Sequence, residues 1–217
     1  MKEMSSMRRS GFEARAAIQG ILVAAMVVGF AGWMSQAQAQ LPAPTTVKAK
    51  LVKVTPFMEK TPEYGASTSE RKKVPRLREW LEVEVEFETQ SDSKVGVIPE
   101  LMMTFYVAVK GATAQVLTGS FTYANIQDNE KNFAVVYVSP HSLTRIMGEP
   151  NKFKLGDVAK VGVEILYQGR VVAETPEAKA LQASSAAKVT DVLLPKEKTP
   201  FNMLWIDRYV ELKPDRQ

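Results

Sequence analysis

The segment from Trp80 to Glu88, which reads WLEVEVEFE, alternates apolar and acidic residues after its first tryptophan. In an extended strand the apolar residues fall on one face and the four glutamates fall on the other. A register slip of one residue would bury the whole acidic set, so the orientation of this strand is firmly specified. Alternation of this kind is typical of antiparallel sheets with one buried face and one solvated face.

Six further segments have strand-like patterns with turn residues between them. Gly111-Ala112 separates one pair and Gln168-Gly169 separates another, which predicts two hairpins. Together the pattern predicts an all-β fold, an immunoglobulin-like antiparallel β-sandwich of about seven strands. The first strand should lie near an edge, where its lysines discourage pairing with another chain. Besides Trp80–Glu88, the predicted strands are Val47–Thr55, Leu101–Lys110, Gln115–Tyr123, Phe133–Val138, Val158–Tyr167 and Arg170–Glu174.

The first 39 residues have the pattern of an export signal. Four basic residues precede an apolar run that extends from about Ala16 to Met34. Ala37-Gln38-Ala39 follows the run and has the small-x-small pattern of a cleavage site. We therefore expect a periplasmic or cell-surface protein. The alternative is an uncleaved membrane anchor, since the run approaches the roughly 20 residues that span a bilayer. The expected division is a signal peptide at 1–39, a spacer at 40–46, the sandwich at 47–175, a linker or short helix at 176–198 and a docked C-terminal tail at 199–217.

Composition narrows the chemistry that the chain can perform. The chain has 28 basic and 24 acidic residues, and the leader holds four and two of these, which leaves a net charge of about +2. Nucleic-acid binding usually shows a concentrated basic stripe, so this balance does not indicate it. Cysteine is absent, which excludes disulfides, thiol catalysis and thiolate-bound metals. We expect no cofactor.

Candidate catalytic and metal-binding residues are few. His141 is the only histidine, and it follows Pro140 in a segment with the pattern of one helical turn. A general acid or base needs an orienting carboxylate and a nucleophile nearby, and an exposed histidine in a loop is the simpler interpretation. The parallel glutamates of residues 82–88 would converge poorly on a cation such as Ca²⁺. We therefore predict no catalytic residue, no metal site and no enzymatic activity.

Two segments are candidates for contact with a partner. A basic loop could meet phosphate groups, including lipid headgroups at a membrane surface, and its residues are Arg71, Lys72, Lys73, Arg76 and Arg78. In the C-terminal segment, Phe201, Leu204 and Trp205 have the spacing of one helical face. This segment either covers one end of the sandwich or docks into a groove of a partner protein. Its candidate contact residues are Phe201, Leu204, Trp205, Asp207, Arg208 and Tyr209.

Trp80 suggests a different class of function. Trp80 lies two residues before Glu82, so in a strand it is on the same face as the glutamates, and we expect it to be partly exposed. An exposed indole can stack on a sugar ring. A surface carbohydrate-binding module is therefore the alternative to a protein that binds other proteins.

The tail pattern Lys198-Thr199-Pro200-Phe201, Leu204-Trp205 and Asp207-Arg208-Tyr209 resembles the ending of a family of exported Ig-like proteins. That family occurs in Verrucomicrobia-type bacteria, with genes near type IV pilus-like assembly components. The segments Pro99-Glu100-Leu101 and Tyr137-Val138-Ser139-Pro140, together with the alternating strand, resemble it too. The resemblance implies an Ig-like fold and a role in a cell-envelope or pilus-related system through protein contacts. It implies no catalytic residues.

Overall fold

The computed structural model describes residues 44, 46–63 and 78–214. The expected signal peptide and most of the expected spacer and basic loop lie outside these residues. The described residues form ten strands and two α-helices, and neither helix is long or apolar enough to cross a membrane. In chain order they are β1 (Val47–Lys60), β2 (Glu79–Ser91), β3 (Val97–Val109), β4 (Gln115–Gln127), β5 (Lys131–Val138), α1 (Pro140–Met147), β6 (Val158–Tyr167), β7 (Arg170–Glu174), α2 (Pro176–Gln182), β8 (Ala187–Val189), β9 (Leu193–Pro195) and β10 (Glu211–Leu212).

The strands form two sheets that face each other. The first sheet has the order β1-β2-β5-β9, and the second has the order β10-β4-β3-β6-β7, with β8 also paired to β4. The inward side chains of both sheets form one apolar core, in which the four apolar residues of the alternating strand β2 are fully buried. The predicted β-sandwich is confirmed. Its strand order is Ig-like, with β1, β2 and β5 in one sheet and β3, β6 and β7 in the other.

Several strands extend beyond their predicted bounds. The first strand continues past its predicted end at Thr55 to Lys60 and includes Pro56. Proline is tolerated there because β1 is an edge strand and its outer side needs no ladder hydrogen bonds. A bulge between Leu51 and Lys53 interrupts the same strand. The sheets also continue past residue 175, because β8, β9 and β10 come from the segments expected to be a linker and a tail.

The turn chemistry agrees with the sequence. Gln168 and Gly169 both have positive φ, 49° and 78°, as a two-residue hairpin between β6 and β7 requires. The predicted helical turn after Ser139 is confirmed as α1. Ser139 caps its start by accepting a hydrogen bond from the Ser142 backbone N–H at 3.2 Å, and Gly148 ends it with a left-handed φ of 76°.

The second helix, α2, lies directly on the outer face of the second sheet. It covers Gly162 of β6, where an added Cβ would lie 2.5 Å from the backbone nitrogen of Ala178. The neighbouring contacts are apolar and involve Tyr106, Val116 and Leu181. Glycine at position 162 therefore sets how closely the helix approaches the sheet.

We expect Gly162→Ala to lower the free energy of unfolding by about 1–3 kcal/mol, because the backbone of α2 would have to move away from the sheet. Urea denaturation measures this change. Gly156→Ala is the matched control, since no atom lies within 4 Å of its added Cβ. Equal losses in the two variants would show that close approach of α2 is not the cause.

Candidate functional site

The C-terminal segment crosses the outer face of the first sheet, on the glutamate side of β2. Glu82 is only 6% exposed there, so the expectation of a fully solvated acidic face is wrong for this part of the strand. Further along, Glu86 forms the expected cross-strand ion pair, with Lys131 of β5 at 2.9 Å. The segment therefore buries Glu82, while Glu84, Glu86 and Glu88 stay partly exposed.

Phe201 is the first anchor of the segment. Its side chain is fully buried, stacks on Tyr137 with ring centroids 4.6 Å apart, and meets Trp80 edge-on at 5.7 Å. The Thr199 hydroxyl accepts a hydrogen bond from the Phe201 backbone N–H at 3.1 Å. Aromatic pairs in these geometries add stabilisation beyond the burial of their area. Phe201 thus joins the tail to two strands of the sheet.

Arg208 and Tyr209 form the second anchor. The Arg208 guanidinium donates two hydrogen bonds of 2.9 Å to the two carboxylate oxygens of Glu84, and it lies 3.9 Å from the ring centroid of Phe133. The Tyr209 hydroxyl donates to Glu84 at 2.9 Å. The backbone N–H of Val210 then bonds to the Phe133 carbonyl. A bidentate pair that also stacks on an aromatic ring uses the planar shape of arginine as well as its charge.

Turns, and not a helix, connect the two anchors. The predicted helical face of Phe201, Leu204 and Trp205 is wrong, because residues 201–208 form consecutive turns and bends. Lys196 holds the first turn: its buried ammonium donates to the Asn202 carbonyl at 3.1 Å. Anchoring at both ends therefore overrides the helical spacing of the apolar residues.

The part of the tail between the anchors, residues 202–207, projects from the sandwich, and we call it the apex. Three of its apolar side chains are exposed: Met203 by 68%, Trp205 by 48% and Ile206 by 59%. Trp205 also has a left-handed φ of 49°, which is a costly conformation for a residue with a Cβ. Large apolar side chains clustered on an exposed, tightly held turn are typical of a surface that contacts another macromolecule.

The electrostatics of Glu84 favour attachment of the tail. Burial alone would raise the pKa of this carboxyl, but the hydrogen bonds from Arg208 and Tyr209 outweigh burial and hold the pKa below its usual value. The ionised form of Glu84 is therefore the form that stabilises the docked tail.

The pKa of Glu82 is shifted in the opposite direction, above its usual value. Burial raises the pKa of Glu82, the nearby carboxylates of Glu59 and Glu84 raise it further, and the Tyr137 hydroxyl only partly offsets this. The ionised form of Glu82 is thus disfavoured in the fold. Two glutamates on the same face of one strand have opposite effects on stability.

The remaining sequence candidates lie in different places. Trp80 is 9% exposed, and its indole N–H donates to the Thr61 hydroxyl at 3.0 Å, so the expectation of a partly exposed ring is wrong. Arg78 is exposed at the start of β2, and Arg71, Lys72, Lys73 and Arg76 lie outside the described residues. His141 is exposed at the surface of α1. In the part of the chain that the structure describes, no three acidic or histidine side chains are grouped as metal ligands.

Of the predicted tail residues, the structure brings Phe201 and Leu204 into one apolar cluster and places Arg208 and Tyr209 on the acidic face. Trp205 and Asp207 remain exposed at the apex. Sequence reasoning missed Met203 and Ile206, and it missed the sheet residues Glu82, Glu84 and Tyr137. The sequence contains one signal for this contact. Arg208 and Tyr209, beside the apolar residues of the tail, are suitable partners for the acidic face of a strand.

The comparisons with known proteins agree with this architecture. A protein-family model matches residues 40–216. A crystal structure of a protein from Akkermansia muciniphila, a member of the Verrucomicrobia, superimposes with a TM-score of 0.68 at 28% sequence identity, over 79% of this chain and 95% of that one. No functionally curated protein matches the chain.

The fold defines a β-sandwich protein whose C-terminal segment is bound to its own sheet. The chain belongs to the family that the model of residues 40–216 describes. The resemblance to β-sandwich proteins of Verrucomicrobia-type bacteria is confirmed, and the association with pilus-like gene clusters remains a prediction.

We expect Phe201→Ala to lower the free energy of unfolding by about 3–5 kcal/mol, because it removes a fully buried ring from an aromatic cluster. Urea denaturation measures the loss. Met203→Ala is the control, since its side chain is mostly exposed and the change should stay within about 0.5 kcal/mol. An unchanged stability of the Phe201 variant would mean that the tail contributes nothing to the folded sandwich.

The two glutamates predict pH effects of opposite sign. Glu84 stabilises the fold above the ordinary pKa of 4.5 and loses this effect as the pH falls through its lowered folded-state pKa, so Glu84→Gln should reduce the melting temperature at pH 7. Glu82 destabilises the fold above its raised folded-state pKa, so Glu82→Gln should increase the melting temperature at pH 7. The Glu84 difference should shrink as the pH falls below 4.5, whereas the Glu82 difference should shrink as the pH falls from the raised folded-state pKa of Glu82 towards 4.5. Shifts of the same sign in thermal denaturation at pH 7 would contradict this assignment.

Proposed function

We propose that this protein is an exported, non-enzymatic binding protein of the cell envelope that acts through protein–protein contacts. The observation that carries the proposal is the apex, where Met203, Trp205 and Ile206 are exposed between two anchors that fix their position. Because the anchors hold the turn in place, little conformational entropy remains to be lost when a partner covers the apolar side chains. This arrangement supports recognition by a protein surface with a matching apolar pocket.

The proposed partner is a component of pilus-type or secretion machinery in the envelope. Support for this partner comes from the resemblance of the tail and strands to exported proteins whose genes lie near pilus-like assembly components. The basic run and apolar stretch within the first 39 residues support export. The basic loop, from Arg71 to Arg78, offers a place for peripheral contact with anionic lipid headgroups.

The alternative function, sugar binding on Trp80, loses its main support. The Trp80 ring packs against Phe201 and leaves 9% of the residue exposed, so no face of the indole is open to a sugar ring. Trp205 is exposed, but Met203 and Ile206 beside it make an apolar surface, and sugar sites surround the stacking ring with polar groups. Protein contact is therefore the better interpretation of the apex.

The experiment that tests the proposal is capture from the detergent-solubilised envelope of the native host. We expect the tagged protein to retain a specific envelope protein, and we expect the double variant Met203→Ser, Ile206→Ser to lose it. Both side chains are mostly exposed, so each replacement should change the free energy of unfolding by no more than about 0.5 kcal/mol.

The matched control replaces two exposed apolar residues elsewhere, Leu155→Ser and Val171→Ser, which are 44% and 48% exposed. The control variant should retain the captured protein. Equal capture by both double variants would rule out the apex as the contact surface. The intact mass of the recovered chain tests export, because cleavage after Ala39 would shorten the chain by 39 residues.

A further inference from the structure

The outer edge of β4 carries two short strands with a gap between them. β8 pairs with β4 in parallel at Gln115–Leu117, and β10 pairs antiparallel at Tyr123–Ala124. Just beyond β10, the Lys213 backbone N–H donates to the Thr122 carbonyl at 2.8 Å. Among the residues that the structure describes, no strand pairs with residues 118–121 on this side.

The backbone of Ser120 points into this gap. In an antiparallel strand the N–H and C=O of one residue point to the same side, and the side alternates along the chain. Because the Thr122 carbonyl is bonded across the outer edge, Ser120, two residues earlier, presents its donor and acceptor to that edge as well. The intervening Phe121 directs its backbone groups to β3. By the same alternation Thr118, next to β8, also faces this edge, so the gap offers the outward-facing backbone groups of Thr118 and Ser120.

A groove follows the gap. Two adjoining depressions of about 670 and 460 Å³ share Ser120, Phe121, Pro195 and Lys198 as lining residues. The segment from β9 to Lys198 forms one wall, and hydrogen-bonded hydroxyls of Thr104 and Ser120, 2.9 Å apart, lie at the floor. At about 3.4 Å per residue, residues 118–121 span roughly 10 Å, which is enough for an extended segment of three or four residues.

The charge around the groove favours an acidic occupant. Lys188 and Lys198 are exposed in its lining, against one acidic residue, Asp191. Neither lysine forms an ion pair with any described residue, and the Lys188 ammonium donates a hydrogen bond to the Gln182 carbonyl at 2.7 Å. The segment 64–77 of this chain, which the structure does not describe, is itself basic, with four Lys or Arg and one Glu, so its charge does not match.

We propose that β4 binds an extended, carboxylate-bearing segment of a partner protein by strand addition in the gap between β8 and β10. The backbone of Ser120 would pair with the backbone of the segment, and Lys188 and Lys198 would contact its acidic side chains. This surface is separate from the apex, and the inference does not depend on what the apex binds.

The test uses the full chain and a fluorescein-labelled ten-residue peptide in which threonine and valine alternate with glutamate. Fluorescence anisotropy should show saturable binding, and a peptide with lysine in place of every glutamate should bind at least about tenfold more weakly. Ser120→Pro removes the edge-facing N–H without removing a bond to β3, and should weaken binding at least about fivefold. Ser120→Ala keeps the N–H and should bind like the parent.

A charge variant keeps the test decisive if Ser120→Pro alters the melting temperature. Lys198→Glu should weaken binding of the glutamate peptide and strengthen binding of the lysine peptide, whereas Lys94→Glu, on the turn between β2 and β3, should do neither. Absence of saturable binding of the glutamate peptide up to millimolar concentration would overturn the proposal. Equal affinity of the Ser120→Pro and Ser120→Ala variants for the glutamate peptide would also overturn it. Self-association of the protein that only Ser120→Pro abolishes would overturn it too, because the segment bound in the gap would then belong to a second copy of this chain.

Discussion

The position of the whole C-terminal segment depends on one aromatic contact, the stack of Phe201 on Tyr137 with Trp80 at its edge. Together with the contacts of Arg208 and Tyr209 on Glu84, that contact covers part of the acidic face of the sheet and buries Glu82. It also determines which side chains are left outside. Since residues on both sides are fixed to the sheet, the chain between them must turn back, and Met203, Trp205 and Ile206 project from the turn.

Burial of Glu82 is the cost of this arrangement. A carboxylate that loses water without gaining a cation is unfavourable when ionised, while its neighbour Glu84 gains a bidentate arginine. The two effects oppose each other on adjacent outward positions of one strand. The acidic face therefore carries one stabilising and one destabilising carboxylate, and the aromatic cluster adds apolar packing to the attachment. Salt screens the ion pair of Arg208 but does not weaken the apolar packing.

The buried face of β2 and the turn between β6 and β7 could be predicted from the sequence. Period-two alternation is specific for a strand with one buried face, and the Gln168-Gly169 pair is specific for a two-residue hairpin turn. The tail could not, because its conformation depends on contacts between residues more than 120 positions apart, such as Arg208 with Glu84. The spacing of Phe201, Leu204 and Trp205 fits a helix, yet residues 201–208 form turns whose two ends are held on the sheet by Phe201 and Arg208. The burial of Trp80 could not be predicted for the same reason. The alternation of β2 places Trp80 correctly on the outer face, but alternation does not reveal which other segment covers that face.

The chemistry of Arg208 determines which conditions can release the tail from Glu84. Its guanidinium keeps its charge throughout the physiological pH range, and it contacts both the carboxylate of Glu84 and the Phe133 ring. Alkaline surroundings therefore cannot loosen the tail from the arginine side, and lysine-directed acetylation cannot neutralise that anchor. Acid that protonates Glu84 removes the charge that the guanidinium binds. A pull from the C-terminal side would first load β10, which pairs with β4, and only then the contact of Arg208 with Glu84.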